Sequence, residues 1–347
     1  LRPFRDDGPE RIDLNAKGTS HTDKDRSMSK LIAVTDTVFP DLDPARAALA
    51  EVDGELEIAE DRTPESILAV AGDADAMLVT YASITAEIIG QLENCKVIGR
   101  FGIGTDNIDI AAATAAGIVV TYAPTYCLDE VSDHTMALLL TLARKTAYSN
   151  ALVHSGRWDM PAVVPIKRLR GLTLGLVGIG NIPQQIVPKA QAFGMNVISS
   201  DPYAPSELFE RLGVRSVGFE ELLSSSDYIS IHAPLTPETE GMFGADAFSK
   251  MKSDALLINT ARGPLVDADA LADALEAGQI GGAALDVLPQ EPPPPSSRLI
   301  GRDDVILTPH TAFYSEDSLL ELQTTVASDV AAVLRGDKPR FPVPVRS

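Results

Sequence analysis

Short apolar runs alternate along the chain with stretches whose apolar residues recur at helical spacing. LIAVTD (31–36), AMLVTYA (76–82), KVIGRFG (96–102) and IVVTYAP (118–124) form one series of runs. LTLGLVG (172–178), MNVISSD (195–201), YISIHAP (228–234), ALLINTA (255–261), GAALDV (282–287) and VILTPH (305–310) form a second. Most are apolar at consecutive positions, as strands covered by helices on both faces must be. The alternation predicts an α/β chain with parallel sheets. Between the two series, LDEVSDHTMALLLTLARKTAYSNALVHSG (128–156) begins acidic, continues with helical periodicity and stops at Gly156. It predicts one long helix from about Glu130 to Val153. DADALADALEAG (267–278) predicts a helix begun and capped by Asp267 and Asp269 and closed by Gly278. Pro292–Pro295 is a stiff loop. Residues 1–29 are polar and mixed in charge and read as a tail outside the fold.

With 347 residues, two domains are expected at ~100–200 residues each. A formal net charge of −20 repels phosphate backbones and anionic lipid, so neither nucleic acid nor a membrane surface is an expected partner. No apolar run approaches the ~18–20 residues that span a bilayer. Cys95 and Cys127 form no C-x-x-C pair and no metal-ligand cluster. A disulfide scaffold and a metal site are therefore not expected, and a reducing, cytoplasmic compartment is.

LTLGLVGIGNIPQQI (172–186) is an apolar strand entering Gly178-Ile179-Gly180 and then a helix start. Such a turn aims backbone N–H groups and the positive end of a helix at a pyrophosphate. Gly178 permits the turn, Gly180 lets the backbone approach the phosphates, and Asn181 and Ile182 are the expected donors. Asp201, 23 residues beyond Gly178, ends the next strand, where an acid accepts from the ribose hydroxyls and repels a 2′-phosphate. NAD is thus expected over NADP. Pro183 replaces the usual third glycine, in a first helical turn that tolerates proline. Pro188 lies deeper, where it removes a hydrogen bond and predicts a kinked or shortened helix.

Three later strands end in polar residues: ALLINTARG at Arg262, GAALDVLPQEP at Asp286 and onward to Glu291, VILTPHTAFY at His310. In a parallel sheet these C-terminal ends converge on the ligand crevice. Arg262 can grip a carboxylate with two prongs. His310 can exchange a proton with an alcohol near neutral pH, and Glu291 can orient its imidazole. With a nicotinamide beside them, these groups imply hydride transfer between a 2-hydroxy acid and a 2-keto acid. Each residue also has a plainer reading: an isolated histidine at a strand end is usually structural, and Cys127, without a paired histidine, reads as a buried inert thiol. His134 and His154 need only solvent or interface contacts.

The segments GRFGIGTDNID (99–109), GLVGIGNI (175–182) with Asp201, HAPLTPET (232–239), INTARGPLVD (258–267), ALDVLPQEP (284–292) and TPHTAFYSE (308–316) resemble, in order and spacing, the D-isomer-specific 2-hydroxyacid dehydrogenase family. The likeness runs from about residue 31 to about 335. It implies two flavodoxin- or Rossmann-like doubly wound parallel-sheet domains: a substrate domain of residues 30–127 and 312–347, and an NAD-binding domain of residues 128–311. A homodimer built largely through the cofactor domain is implied too. Arg262, Glu291 and His310 fall on the family's catalytic positions. The same likeness places Thr135, His232, Ala233, Pro234, Thr239, Thr260, Ala261 and Asp286 at the cofactor, with Asp286 meeting the nicotinamide amide. Backbone N–H groups of Gly102, Ile103 and Gly104 would take the substrate carboxylate, and Tyr81, Ile103 and Phe313 would wall the pocket.

HTAFY resembles the corepressor C-terminal binding proteins, whose His-Ala-Ala-Trp-Tyr has a Trp where this chain has Phe313. An NAD(H)-sensing interaction protein with residual activity is therefore the alternative reading. Ile103 in place of a Lys argues against phosphite, and Glu291 in place of a Gln against formate. Tyr81, where the phosphoglycerate branch commonly has Arg, removes one expected phosphate partner.

Overall fold

The structure, a computed structural model, describes residues 29–344; nearly all of the polar tail, including His21, lies outside the described residues. Strands β1 (Lys30–Val34), β2 (Gly54–Ile58), β3 (Ala76–Val79), β4 (Val97–Arg100) and β5 (Val119–Tyr122) build the first sheet. Its order is β2-β1-β3-β4-β5, all parallel. Helices α1 (Asp43–Leu49), α2 (Pro64–Ala71), α3 (Ala86–Ile89) and α4 (Ile110–Ala115) connect these strands. The strand β2, GELEI, escaped the apolar pattern because it is an edge strand with alternate charged residues in solvent.

Helices α5 (Leu128–Arg144) and α6 (Thr146–His154) follow. The single long helix expected here is broken at Lys145, whose φ of 50° and ψ of 38° are left-handed. Its N–H turns back to the Leu142 carbonyl at 3.1 Å, closing α5 as a glycine would. The physical reason is burial. Val131, Met136, Leu138, Leu139 and Ala143 of α5 are buried, whereas in α6 only Leu152 is.

The second sheet holds β6 (Thr173–Val177), β7 (Asn196–Ser200), β8 (Arg215–Ser216), β9 (Tyr228–Ile231), β10 (Leu256–Asn259), β11 (Gly282–Leu285) and β12 (Val305–Leu307). It is parallel throughout, in the order β12-β11-β10-β9-β6-β7-β8. Helices α7 (Asn181–Ala192), α8 (Ser206–Leu212), α9 (Phe219–Ser225), α10 (Ala245–Lys250) and α11 (Ala268–Glu276) cover its faces. The order reverses between β6 and β9, which opens a crevice at their C-terminal ends. The Asp267 side chain caps α11 by accepting from the N–H groups of Asp269 and Ala270.

Helix α7 continues through Pro188 and is not shortened. Pro188 sits on the exposed side of the helix, while Ile186, Val187 and Ala190 stay buried and hold it. The final helix α12 (Glu316–Arg335) leaves the second sheet and packs on α1 and β4 of the first. Its buried Leu322, Val326 and Val330 complete that core.

Candidate active site

Between the sheets lies a cavity of about 820 Å³. Its first-sheet wall includes Tyr81, Arg100, Ile103 and Gly104. Its second-sheet wall includes Gly180, Asn181, Ile182, His232, Ala233, Pro234, Thr260, Ala261, Arg262, Asp286 and His310, and Phe313 closes one side. Thr135, Gly178, Asp201, Thr239, Gly102 and Glu291 do not line it.

Of the three residues singled out at the strand ends, Arg262 and His310 line it, and Glu291 reaches it through His310. His310 Nδ1 lies 2.7 Å from Glu291 Oε2, and Glu291 Oε1 accepts the Leu288 N–H at 2.9 Å. Burial pushes the Glu291 carboxyl up. The bond and charge of His310, the Leu288 N–H and the Arg262 guanidinium outweigh it, and the net shift is downward. His310 has a φ of 53°, an uncommon conformation for a non-glycine residue. Asp286 holds it there. The His310 N–H donates to the Asp286 carbonyl at 2.8 Å. Asp286 Oδ1 accepts from Thr308 Oγ1 at 2.6 Å and Thr311 N–H at 2.9 Å, and Oδ2 from Ala312 N–H at 2.9 Å. Both Asp286 oxygens thus help to hold the turn that presents His310. His134 also belongs here: its Nε2 is 3.1 Å from Thr308 Oγ1.

Arg262 donates from Nε to Asp106 Oδ1 at 2.9 Å and from Nη1 to the Ala261 carbonyl at 2.8 Å. Asn259 braces its turn, donating to the Arg262 carbonyl at 2.8 Å and accepting the Ala261 N–H at 3.0 Å. Ile103 and Gly104 have N–H groups without an acceptor among the described residues, whereas the Gly102 N–H is already bonded to the Arg100 carbonyl at 2.9 Å. Gly102 is therefore not a free donor, contrary to the expectation for it.

Tyr81 stands edge-on to His310, with ring centroids 5.4 Å apart, and Phe313 lies 6.1 Å from the same imidazole. The Tyr81 N–H donates to Asp36 Oδ2 at 2.8 Å, and Arg62, paired with that carboxylate at 3.1 Å, lies over the Tyr81 ring at 5.2 Å. Arg100 reaches the same region. Burial lowers its pKa first, and the nearby Arg262 charge lowers it further. Its Nε is buried without a partner.

At the glycine turn, Gly178 has a φ of 95°, and a Cβ there would stand 3.0 Å from the His232 carbonyl oxygen. Only glycine fits both demands. Asn181 and Ile182 start α7, and their N–H groups take no acceptor among the described residues. Asp201 lies beside the turn, where its Oδ2 accepts the Ile179 N–H at 3.0 Å. His232 Nε2 is 2.8 Å from Ser230 Oγ, and burial pushes the imidazole pKa down to about 3. Thr135 and Thr260 share a hydrogen bond of 2.9 Å, and the Thr239 hydroxyl donates to the Pro234 carbonyl at 2.7 Å. Cys127 is buried and its thiol is pushed up to about 12, which fits an inert group.

Sequence reasoning missed Asp106, Arg100, Asp36 and Asn259. Asp36 and Asn259 are polar residues at the ends of apolar strand runs, the same signal that exposed Arg262 and His310. Asp106 and Arg100 stood within GRFGIGTDNID, but their partners lie on distant loops. Among the described residues no group of three or more His, Cys, Asp or Glu is placed to hold a metal, and no helix is long and apolar enough to cross a membrane.

Residues 136–312 match the family model described as D-isomer specific 2-hydroxyacid dehydrogenase, NAD binding domain. The chain is 42% identical over 308 residues to a D-3-phosphoglycerate dehydrogenase of Methanocaldococcus jannaschii, covering 88% of this chain and 58% of that one. It is 36% identical to a glyoxylate reductase of Korarchaeum cryptofilum, covering 82% of this chain and 88% of the relative. A D-lactate dehydrogenase from Aquifex aeolicus, solved with NAD and lactic acid, is similar with a TM-score of 0.83 and 30% identity, over 91% of this chain and all of that one. The chain spans about half the length of the curated D-3-phosphoglycerate dehydrogenases it matches.

Proposed function

The chain belongs to the D-isomer specific 2-hydroxyacid dehydrogenase family, and from that premise we propose that it is an NAD-dependent oxidoreductase interconverting a 2-hydroxy acid and a 2-keto acid. The observation that carries this reading is that Arg262 and His310 line one cavity, with Glu291 behind it in a 2.7 Å contact with the His310 imidazole. The glycine turn fits a dinucleotide: Gly178 lets the turn pack against the His232 backbone, Gly180 faces open space, Asn181 and Ile182 offer free N–H donors, and Asp201 supplies a ribose acceptor. NAD, when bound, supplies or accepts the hydride. With Nδ1 held by Glu291, the His310 Nε2 is left to exchange the proton of the substrate hydroxyl. Arg262 and the N–H groups of Ile103 and Gly104 hold the carboxylate and polarise the neighbouring carbonyl. Residues 30–127 with 312–347 form the substrate domain and 128–311 the cofactor domain in this reading.

Arg100 and Arg62 flank Tyr81, so the pocket favours a 2-keto acid with a second anionic or polar group over one with an apolar side chain. This supports a phosphorylated acid despite the loss of an arginine at Tyr81, and several relatives are named for 3-phosphoglycerate. The test is NADH oxidation with glyoxylate, hydroxypyruvate, pyruvate and phosphohydroxypyruvate. Turnover of at least one is expected. Failure of all four removes the dehydrogenase reading, and a preference for pyruvate removes Arg100 from specificity. The sensor alternative draws no support from the relatives named, which are dehydrogenases and a reductase.

Val153, Trp158, Met160 and Val164 expose an apolar segment of the cofactor domain, with Trp158 92% exposed. We read it as the contact of a homodimer. Trp158→Glu shifts the mass in solution toward the monomer; an unchanged mass places the dimer contact elsewhere. Free thiols at Cys95 and Cys127 are in keeping with a cytoplasmic setting.

A further inference from the structure

Arg262 and Asp106 are 156 residues apart and sit on different sheets. Asp106 is on the loop after β4 and Arg262 on the turn after β10, so their 2.9 Å pair crosses the cleft and joins the two domains beside the cavity. The guanidinium is planar, and its Nε is on Asp106 while its Nη1 is on the Ala261 carbonyl. Two such anchors fix the plane. The remaining Nη2 has no partner among the described residues and lies 1.5 Å from the point where a Gly104 Cβ would stand. It therefore covers the Gly104 backbone, next to the free N–H groups of Ile103 and Gly104.

We infer that Asp106 is a positioning residue: it sets the plane of Arg262 from the opposite domain, so that Nη2 and the Ile103 and Gly104 N–H groups converge on one substrate carboxylate. The inference rests on the reading of Arg262 as the carboxylate-binding group. Arg100 is the other charged group acting on Asp106; its Nη1 is committed to the Phe101 carbonyl at 2.6 Å. Burial raises the Asp106 pKa, but the charge and hydrogen bond of Arg262 overcome this and the net shift is downward, so the carboxylate is charged when the pair forms. The side chains of the pair are 24% and 34% exposed, and a pair that open to solvent adds little to folding stability. Its value lies in orientation, where ~1 Å of misplacement is enough to lower rate ~10²-fold.

The test uses the full chain with NADH. In the unmodified protein the Arg262 Nε–H resonance, assigned by its loss in Arg262→Lys, is protected from solvent exchange, and Asp106→Asn removes that protection. With the preferred 2-keto acid, Asp106→Asn raises KM by about 10-fold or more while NADH affinity and the urea midpoint stay within error. Asp106→Glu, which restores the charge, recovers part of the loss. In an Arg262→Ala background Asp106→Asn has no further effect, because a residue that acts through another is not additive with it. An unprotected Nε–H in the unmodified protein, an unchanged KM, additive losses, or NADH affinity falling in parallel would each overturn the inference. If no keto acid is turned over by the unmodified chain, the dehydrogenase reading fails, and the Nε–H signal alone decides whether Asp106 positions Arg262.

Discussion

A methyl group on residue 104 would stand 1.5 Å from Arg262 Nη2, 2.6 Å from its Cζ and 2.8 Å from Asp106 Oδ1. Gly104→Ala is therefore a probe of the site that barely tests the fold. Gly104 does not have a positive φ, so alanine adopts its backbone without strain. The obstructing atoms are the far end of a flexible side chain, which can swing about 2 Å to reach ordinary contact distance. That swing breaks the 2.9 Å bond to Asp106 and carries Nη2 away from the Ile103 and Gly104 N–H groups. A displacement of this size at a carboxylate grip lowers kcat/KM about 10²-fold, or about 2.7 kcal/mol of transition-state stabilisation. Folding stability changes by less than about 1 kcal/mol, since no core atom moves. The assay pairs steady-state NADH oxidation on the preferred keto acid with a fluorescence titration of NADH and a urea unfolding curve. A kcat/KM within about threefold of the parent would refute the carboxylate geometry. A fall in stability matching the fall in activity would refute the claim that the methyl acts only on the guanidinium.

His310→Asn leaves NADH binding intact and lowers turnover by at least ~10²–10⁴-fold, the range of acid–base groups; near-normal turnover removes His310 from the proton step. Asp201→Ala relaxes the preference for NAD over NADP, read as the ratio of kcat/KM values, and an unchanged ratio means the ribose is held elsewhere. His232 is held neutral by burial, with a pKa of about 3 against an ordinary 6.5. The unfolded chain binds that proton first, so the stability it contributes is full above about pH 6.5 and declines as pH falls toward 3. Urea midpoints at mildly acidic and neutral pH therefore converge in His232→Asn relative to the parent, and an equal gap in both proteins counts against the buried neutral ring.

The readable part of the chain was local. Consecutive apolar residues marked ten of the twelve strands; the two missed, β2 and β8, lie at sheet edges, where their charged residues face solvent and carry no such mark. The glycine turn before α7 was legible because a strand, two glycines and a helix start are neighbours in sequence. Arg262, Asp286 and His310 were legible because each follows an apolar run, and parallel strands deliver their ends to one rim. The break at Lys145 was not legible, since the apolar spacing of α5 carries on into α6 and only packing shows where burial ends. Pro188 misled in the other direction: it lies on the exposed side of a helix held by its buried face, and the sequence does not say which face is buried.

By itself the sequence determined the α/β pattern, the dinucleotide turn and the identity of the polar groups at the strand ends, because periodicity and turn chemistry are properties of adjacent residues. Only the tertiary structure decided what those groups touch. Asp106 reaches Arg262 across 156 residues, Asp286 turns its carboxylate to the 308–312 backbone, and Arg100 lodges beside Tyr81. Those contacts depend on how two sheets and the returning helix α12 pack against one another, and that is settled by core burial summed over the whole chain.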